Sequence, residues 1–268
     1  MLTPTKTLLY RHHTENHKGP HTHPHPESAM ETPMETHRSG SREIKVVRRV
    51  LDANDLMAAK NRELFAAKGI FVVNVMSSPG SGKTTLLQKT LAHLMPDMRC
   101  AVIVGDICTT IDADRLAQSG APVVQINTDA FGGDCHLAAH VIERALAGID
   151  LEGLDLLIVE NIGNLVCPAE FDIGEDKRVV VLSVTEGEDK PAKYPLMFRQ
   201  CDAMLLNKID LLPHLEYDVQ ATLASVAQIH PGMPVFQISA KSGEGFEAWL
   251  AWLRTQVAEK QKIGLEAA

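Results

Sequence analysis

The stretch Val75-Met76-Ser77-Ser78-Pro79-Gly80-Ser81-Gly82-Lys83-Thr84-Thr85 decides how this chain folds. Before it, Ile70-Phe71-Val72-Val73-Asn74-Val75-Met76 is rich in β-branched and apolar residues, as a buried parallel strand requires. After it, Leu86-Leu87-Gln88-Lys89-Thr90-Leu91-Ala92-His93-Leu94 has apolar residues at helical spacing. Strand, glycine-rich loop and helix form the setting of a phosphate-binding loop. Backbone N–H groups from Gly80 through Ser81 and Gly82 to Thr85 can converge on phosphate oxygens, where the helix start adds its positive dipole end. Lys83 then reaches the β- and γ-phosphates, and the Thr84 hydroxyl ligates Mg²⁺. One position departs from G-x-x-x-x-G-K-[ST]: Ser77 stands where the first glycine is usual. The bland alternative is a glycine-rich turn with an exposed lysine; the flanking strand and helix favour a nucleoside triphosphate site.

Outward from this loop, strands and helices alternate. Strands are expected at Cys100 to Gly105, Pro122 to Ile126, Leu154 to Val159, Arg178 to Val184, Ala203 to Leu206 and Val235 to Ile238, with a last helix from about Phe246 to Lys260. The fold class expected is α/β, a P-loop NTPase with a mostly parallel central sheet and helices on both faces. Ligands gather at the carboxyl ends of such strands. Asp52 to Lys68 reads as an added N-terminal helix, capped by Asp52 or Asn54 and ended by Gly69.

Asn207-Lys208-Ile209-Asp210 closes the sixth strand. The Asp210 carboxylate can accept two hydrogen bonds from guanine N1–H and the exocyclic amino group, a pair adenine cannot offer. Asn207 can hold the loop, and the Lys208 stem can cover the ring. Ser239-Ala240-Lys241 follows the seventh strand, where a backbone N–H can meet the guanine oxygen. These residues resemble the base-recognition elements of GTPases, so guanine is expected. For the metal and the γ-phosphate, Asp106 ends the second strand and Glu160 the fourth, with Gly163 offering an N–H. Strand-end surface carboxylates are the alternative for both. No glutamine stands in a water-positioning role and no arginine finger can be assigned, so slow intrinsic hydrolysis is expected.

The chain has 268 residues, 45% of them hydrophobic, enough for one sizeable α/β core with an extension. Its formal charge of −8 gives no support for nucleic acid or a membrane surface as partner. There is no secretory-type apolar region at the N-terminus and no run near the roughly twenty apolar residues that span a bilayer. A cytoplasmic location is expected. The five cysteines are scattered and odd in number, unlike a disulfide framework. Residues 1–43 form a separate segment with seven of the twelve histidines, interleaved with Pro, Thr, Glu and Gly and lacking an apolar face. A disordered tail is expected there, followed by a GTPase domain over 44–268. His21, His23 and His25 alternate along the tail, which suits weak binding of Ni²⁺, Zn²⁺ or Cu²⁺; a solvated tail with accidental metal affinity is the other reading.

A second set of soft ligands lies in the domain. Gly132-Gly133-Asp134-Cys135-His136 is read as opening a helix, with His140 one turn later, and Cys167 follows the Glu160 element. Thiolate and imidazole suit Zn²⁺ or Ni²⁺, and a helix start would favour the Cys135 thiolate. Single cysteines packed as small hydrophobes are the competing reading. Three ligands leave a tetrahedral ion one short, which points to water or a second subunit.

Taken together, Ser78 to Thr85, Cys135-His136-Leu137, Glu160-Asn161-Ile162-Gly163-Asn164-Leu165-Val166-Cys167-Pro168-Ala169 and Asn207 to Asp210 resemble the hydrogenase nickel-incorporation GTPases of the HypB family, over roughly Ile44 to Lys260. The resemblance implies a GTP-hydrolysing nickel metallochaperone that inserts nickel during [NiFe]-hydrogenase maturation. It implies GTP, Mg²⁺, Ni²⁺ and Zn²⁺ as ligands, and a GTP-dependent homodimer with Cys135, His136 and Cys167 at the interface. It also implies a zinc-binding maturation partner and the hydrogenase large subunit precursor as recipient. Some members carry an N-terminal Cys-x-x-Cys-Gly-Cys motif; this chain has no cysteine before Cys100, so only the histidine-rich version applies. Three rival readings remain. The urease accessory GTPase has a Cys-Pro-His motif, whereas Ala169 follows Cys167-Pro168 here. The others are a nickel or zinc storage protein with a regulatory GTPase domain, and a small-molecule kinase, against which the guanine motif argues.

Overall fold

The computed structural model describes residues 6–8, 40–106, 110–128 and 136–267. Its strands are β1 (Lys6–Leu8), β2 (Phe71–Ser77), β3 (Cys100–Asp106), β4 (Val123–Asn127), β5 (Leu156–Gly163), β6 (Lys177–Ser183), β7 (Ala203–Asn207) and β8 (Val235–Gln237). They form one sheet in the order β1-β4-β3-β5-β2-β6-β7-β8, and every pairing is parallel. All seven residues of β2 are buried, because helices cover both sides.

Alternation along the strands sorts the core into two layers. Val73, Val75, Leu156 and Ile158 pack under α2 (Lys83–Leu94), α3 (Ile111–Ala117) and the final helix, which with the short helices below is α8 (Phe246–Ala267). Val72, Leu157 and Val159 face the other way, against α1 (Gly40–Lys68) and α4 (Ala139–Leu146). Further along that second face, α5 (Lys190–Lys193) and α6 (Pro195–Gln200) precede β7, and α7 (Val219–Ile229) precedes β8. There Phe198 and Val226 pack on Leu182 and Leu206. The chain runs β2, β3, β4 to one side, returns through β5, then crosses to β6 on the other side of β2. The direction of winding therefore changes beside β2, where open parallel sheets bind ligands.

The N-terminal part differs most from the sequence expectation. Helix α1 begins at Gly40, so Asp52 and Asn54 sit inside it and cannot cap it. Asn54 is instead buried with its side chain bonded to distant backbone, so tertiary contacts claim a residue that local rules assign to a cap. The C-terminal expectation holds: Gly69 is at φ 67°, with Ile70 N–H donating to Phe65 O and Gly69 N–H to Ala66 O, a Schellman end. The strand Lys6–Leu8, inside the stretch read as tail, pairs with Val124–Ile126. The tract His21, His23, His25 lies outside the described residues. No helix among the described residues is long and apolar enough to cross a membrane.

Candidate functional site

A cleft of about 550 Å³ opens at the carboxyl ends of β2, β3 and β5. The loop from Ser77 to Gly82 forms its floor, and Asp106, Asp112, Arg115, Glu160 and Gly163 rise around it. Gly80 (φ 79°) and Gly82 (φ 90°) adopt the left-handed conformation that glycine takes most readily. A Cβ on Gly82 would lie 2.7 Å from Asn207 Nδ2, so the loop and the Asn207 element could not approach as they do. Helix α2 starts at Lys83, directly beneath the cleft. Ser77, the unusual first residue, is fully buried, and its Oγ accepts a hydrogen bond from Lys83 Nζ at 3.2 Å. A glycine there would offer no such acceptor.

Lys83 and Glu160 are both buried, with Nζ and Oε1 3.9 Å apart. Burial pushes the Lys83 ammonium below its ordinary range, with Glu160 opposing the shift. Burial likewise pushes the Glu160 carboxyl up, opposed by Lys83 and by the Thr84 hydroxyl, which donates to Oε1 at 2.8 Å. The second oxygen, Oε2, is buried with no hydrogen-bond partner. Asp112 and Asp106, which line the same cleft, also push the Glu160 carboxyl upward. A hydroxyl, an unsatisfied buried carboxylate oxygen and neighbouring carboxylates are the hard oxygen donors that fit Mg²⁺. Gly163 packs against Pro79, with a built Cβ 3.2 Å away, so the end of β5 rests on the phosphate loop.

The expected base-recognition residues meet the phosphate loop directly. Asn207 Nδ2 donates to Ser81 O at 2.9 Å, while its Oδ1 accepts from Ala240 N–H at 3.0 Å. Lys208 is the single non-glycine with positive φ (64°) among the described residues, a conformation costing about 1–2 kcal/mol. That turn lays its stem over the loop, and Nζ reaches Gly80 O at 2.7 Å. Ser239 Oγ donates to Asp210 Oδ1 at 2.6 Å and holds the carboxylate at the edge of a second, smaller cleft. Lys208, Asp210, Ala240 and Lys241 line it together, next to Gly82 and Thr85.

The soft ligands are distributed differently. Cys135 lies outside the described residues. His136 does not open a helix: α4 begins at Ala139, so His136 precedes it in irregular backbone and His140 falls within it. The two are therefore not successive turns of one helix, as Ala138 is extended at the N-cap. Cys167 starts a short 3₁₀ turn, Cys167–Ala169, and is half-buried, with Asn164 Nδ2 3.5 Å from its sulfur. The other described cysteines are buried packing residues; desolvation pushes Cys100 to about 12 and Cys201 upward as well. The two ligand segments adjoin. Phe171, four residues past Cys167, stacks on the His136 ring with centroids 3.7 Å apart.

Three features escaped the sequence reading. Glu186, just beyond β6, accepts a hydrogen bond from Ser78 of the phosphate loop, and burial pushes its carboxyl up. Arg115 donates to Thr85 Oγ1 at 2.9 Å from α3. Buried polar residues also join the two ligand segments; Asn74, polar in the middle of an apolar strand, was the visible sign.

The family model for the CobW/HypB/UreG nucleotide-binding domain matches residues 71–237. The hydrogenase maturation factor HypB of Azotobacter chroococcum is 51% identical over 231 residues, covering 85% of this chain and 74% of that protein. Its counterpart from Escherichia coli is 50% identical, covering 82% and 76%. The crystal structure of HypB from Helicobacter pylori in complex with nickel superposes with TM-score 0.72 at 39% identity, covering 78% of this chain and 97% of that one. This chain therefore belongs to the HypB family of hydrogenase maturation factors.

Proposed function

We propose that this protein is a GTP-hydrolysing nickel chaperone that inserts nickel into [NiFe]-hydrogenase during maturation. The observation that carries the reading is the continuity of one segment. Glu160, which accepts from the Thr84 hydroxyl and has a second, buried oxygen without a partner, and Cys167 are seven residues apart on the chain leaving β5. In this reading, Lys83 and the amides of Gly80, Ser81, Gly82, Thr84 and Thr85 bind the phosphates. Thr84 and Asp106 hold Mg²⁺, which would neutralise charge between the phosphates. Glu160 orients the attacking water or a magnesium-bound water, and Gly163 N–H meets the γ-phosphate. Asp210 reads the guanine edge, with Asn207 bracing the loop and Lys208 covering the ring. Because Ala240 N–H is committed to Asn207, the amide for the guanine oxygen falls to Lys241. Turnover is slow, since Lys83 and Glu160 position the reactants but no glutamine or arginine finger is supplied.

Cys135, His136 and Cys167 hold nickel, or zinc in its place, as cargo. Three protein ligands leave a tetrahedral ion one short, which favours a site shared between two chains and a GTP-dependent homodimer. A zinc-binding maturation protein and the hydrogenase large subunit precursor are the partners, in the cytoplasm, and the histidine tail adds weak nickel sites. Purified protein should hydrolyse GTP in strong preference to ATP and well below the roughly 1–100 s⁻¹ of kinases. Turnover within that range would contradict the slow-switch reading. Equilibrium dialysis of a tail-deleted chain should show fewer nickel ions per chain; an unchanged count would remove the tail from the account.

A further inference from the structure

Glu160 and Asn161 are consecutive but serve opposite faces of the sheet. Glu160 turns toward Lys83 and Thr84; Asn161 turns toward Leu137 and Asn74. Between the pairs Val75↔Glu160 and Ser77↔Gly163, β5 carries one more residue than β2, a bulge at Asn161-Ile162. Asn161 Oδ1 takes up the Ile162 N–H at that bulge (2.9 Å) and also accepts from Leu137 N–H (3.3 Å). Its Nδ2 donates to Asn74 Oδ1 at 3.2 Å, and Asn74 Nδ2 donates to Glu175 Oε1 at 3.3 Å. Glu175 Oε2 accepts from Ile173 N–H at 2.7 Å, and Oε1 from Arg178 Nε at 2.6 Å. Arg178 in turn reaches Ala169 O at 3.3 Å. Asn74, Asn161 and Glu175 are 0%, 1% and 6% exposed.

Both ends of this chain of hydrogen bonds lie beside metal-ligating residues. Leu137 follows His136, Ala169 is two residues past Cys167, and Ile173 is two past Phe171, which stacks on His136. From outside, α1 braces the same two segments. Asn61 Nδ2 donates to both Ala139 O and Ile173 O, and Asn54 bonds Ala139 N–H and Asp172 O. Three polar side chains occupy a face otherwise filled by Val72, Leu157 and Val159, where apolar residues would pack without needing partners.

We infer that Asn161, Asn74 and Glu175 form the linkage by which the nucleotide at Glu160 sets the geometry of His136 and Cys167. This rests on the GTP-gated nickel reading above and names the residues that carry the gating. Thr84 and Glu160, which are hydrogen-bonded to each other here, would part to meet Mg²⁺ and the γ-phosphate, and the backbone at the bulge would turn with Glu160. Asn161 sits on that bulge, and its movement is passed along because a buried amide that loses its partner finds no water to replace it. Asn161, Asn74 and Glu175 are positioning residues; none touches nucleotide or nickel.

The test is nickel affinity of the full-length protein, by competition with a chromophoric chelator, with GDP and with a non-hydrolysable GTP analogue. Wild type, Asn74→Ala, Glu175→Gln and Thr222→Ala are compared, with Cys167→Ala giving the contribution of the tail. Thr222 is a buried control whose hydroxyl bonds Tyr217 and Asp218, away from the linkage. Wild type and Thr222→Ala should show a nickel affinity ratio between nucleotide states of about 5-fold or more. Asn74→Ala and Glu175→Gln should keep GTP binding and nickel binding while the ratio collapses to about one. Should Asn74→Ala fail to fold, the near-isosteric Glu175→Gln decides. A wild-type ratio retained in the folded variants overturns the linkage and leaves nickel gating intact. A ratio of one in the wild type overturns both.

Discussion

The nucleotide end and the metal end of this molecule are built on different principles. At the nucleotide end, most groups that would meet the ligand are backbone amides at a strand end and a helix start, and they are locked to one another. Asn207 bonds Ser81 and Ala240, Lys208 bonds Gly80, and Ser239 bonds Asp210, so phosphate loop and base loop form one preassembled unit. At the metal end the proposed ligands are side chains on irregular backbone: His136 ahead of α4 and Cys167 on a single 3₁₀ turn. Those segments are held through their neighbours, by Asn54 and Asn61 outside and by Asn161, Asn74 and Glu175 inside. A site that must hold and then surrender a metal is better served by indirect support, because rigid ligands would bind equally in every nucleotide state and shift nothing.

That contrast can be broken first at the nucleotide end. Lys83→Ala should lower GTP hydrolysis about 10²- to 10³-fold, as loss of a preorganised charged donor does, with the fold unchanged by circular dichroism. Asp210→Asn should weaken GTP binding about 10- to 100-fold, the worth of hydrogen bonds to a charged group. The same variant should gain affinity for xanthosine triphosphate, whose ring carries an oxygen where guanine carries the amino group. Unchanged guanine preference in calorimetry would take Asp210 out of base recognition.

Much of the nucleotide end was legible in the sequence because local chemistry dictates it. Glycines at positive φ, a lysine at a helix start and an Asn-Lys-x-Asp turn each have one physical use in that order. Ser77 departs from the motif, and its hydroxyl accepts from Lys83. The metal end was less legible. Cys135-His136 read as a helix opening, yet α4 begins at Ala139, since two glycines and a Cys-His pair carry no strong cap signal. Asn54 read as a cap because caps are the local use of asparagine, whereas its partners are 85 and 118 residues away. Nothing within a short window reports such partners.

The metal end is probed next. Asn61→Ala should cost about 1–3 kcal/mol of stability, because Ala139 O and Ile173 O lose a shared buried donor. Thermal unfolding would measure it, and nickel affinity should fall with nucleotide affinity unchanged. The smallest effect is expected at Glu186. Its carboxyl is pushed above the ordinary 4.5 by burial, opposed by Lys190, so the folded state holds its proton more tightly than the unfolded chain. The stability this contributes is fully present below pH 4.5 and is lost as pH rises through the raised value. Glu186→Gln should therefore match the wild type below about pH 4 and melt slightly higher at pH 8, by less than about 1 kcal/mol given partial exposure. A variant less stable at pH 8 would reverse the sign and assign Glu186 a stabilising charge.

The most direct test of the central claim reads nickel affinity and molecular mass together, in GDP and in a non-hydrolysable GTP analogue, for wild type and Cys167→Ala. A nucleotide-driven metal switch requires the wild type to form dimers with the GTP analogue and to change its nickel affinity between the two states. Cys167→Ala should abolish that nucleotide-dependent change. Nickel bound with the same affinity in both states, and unaffected by Cys167→Ala, would leave a GTPase carrying a separate metal store.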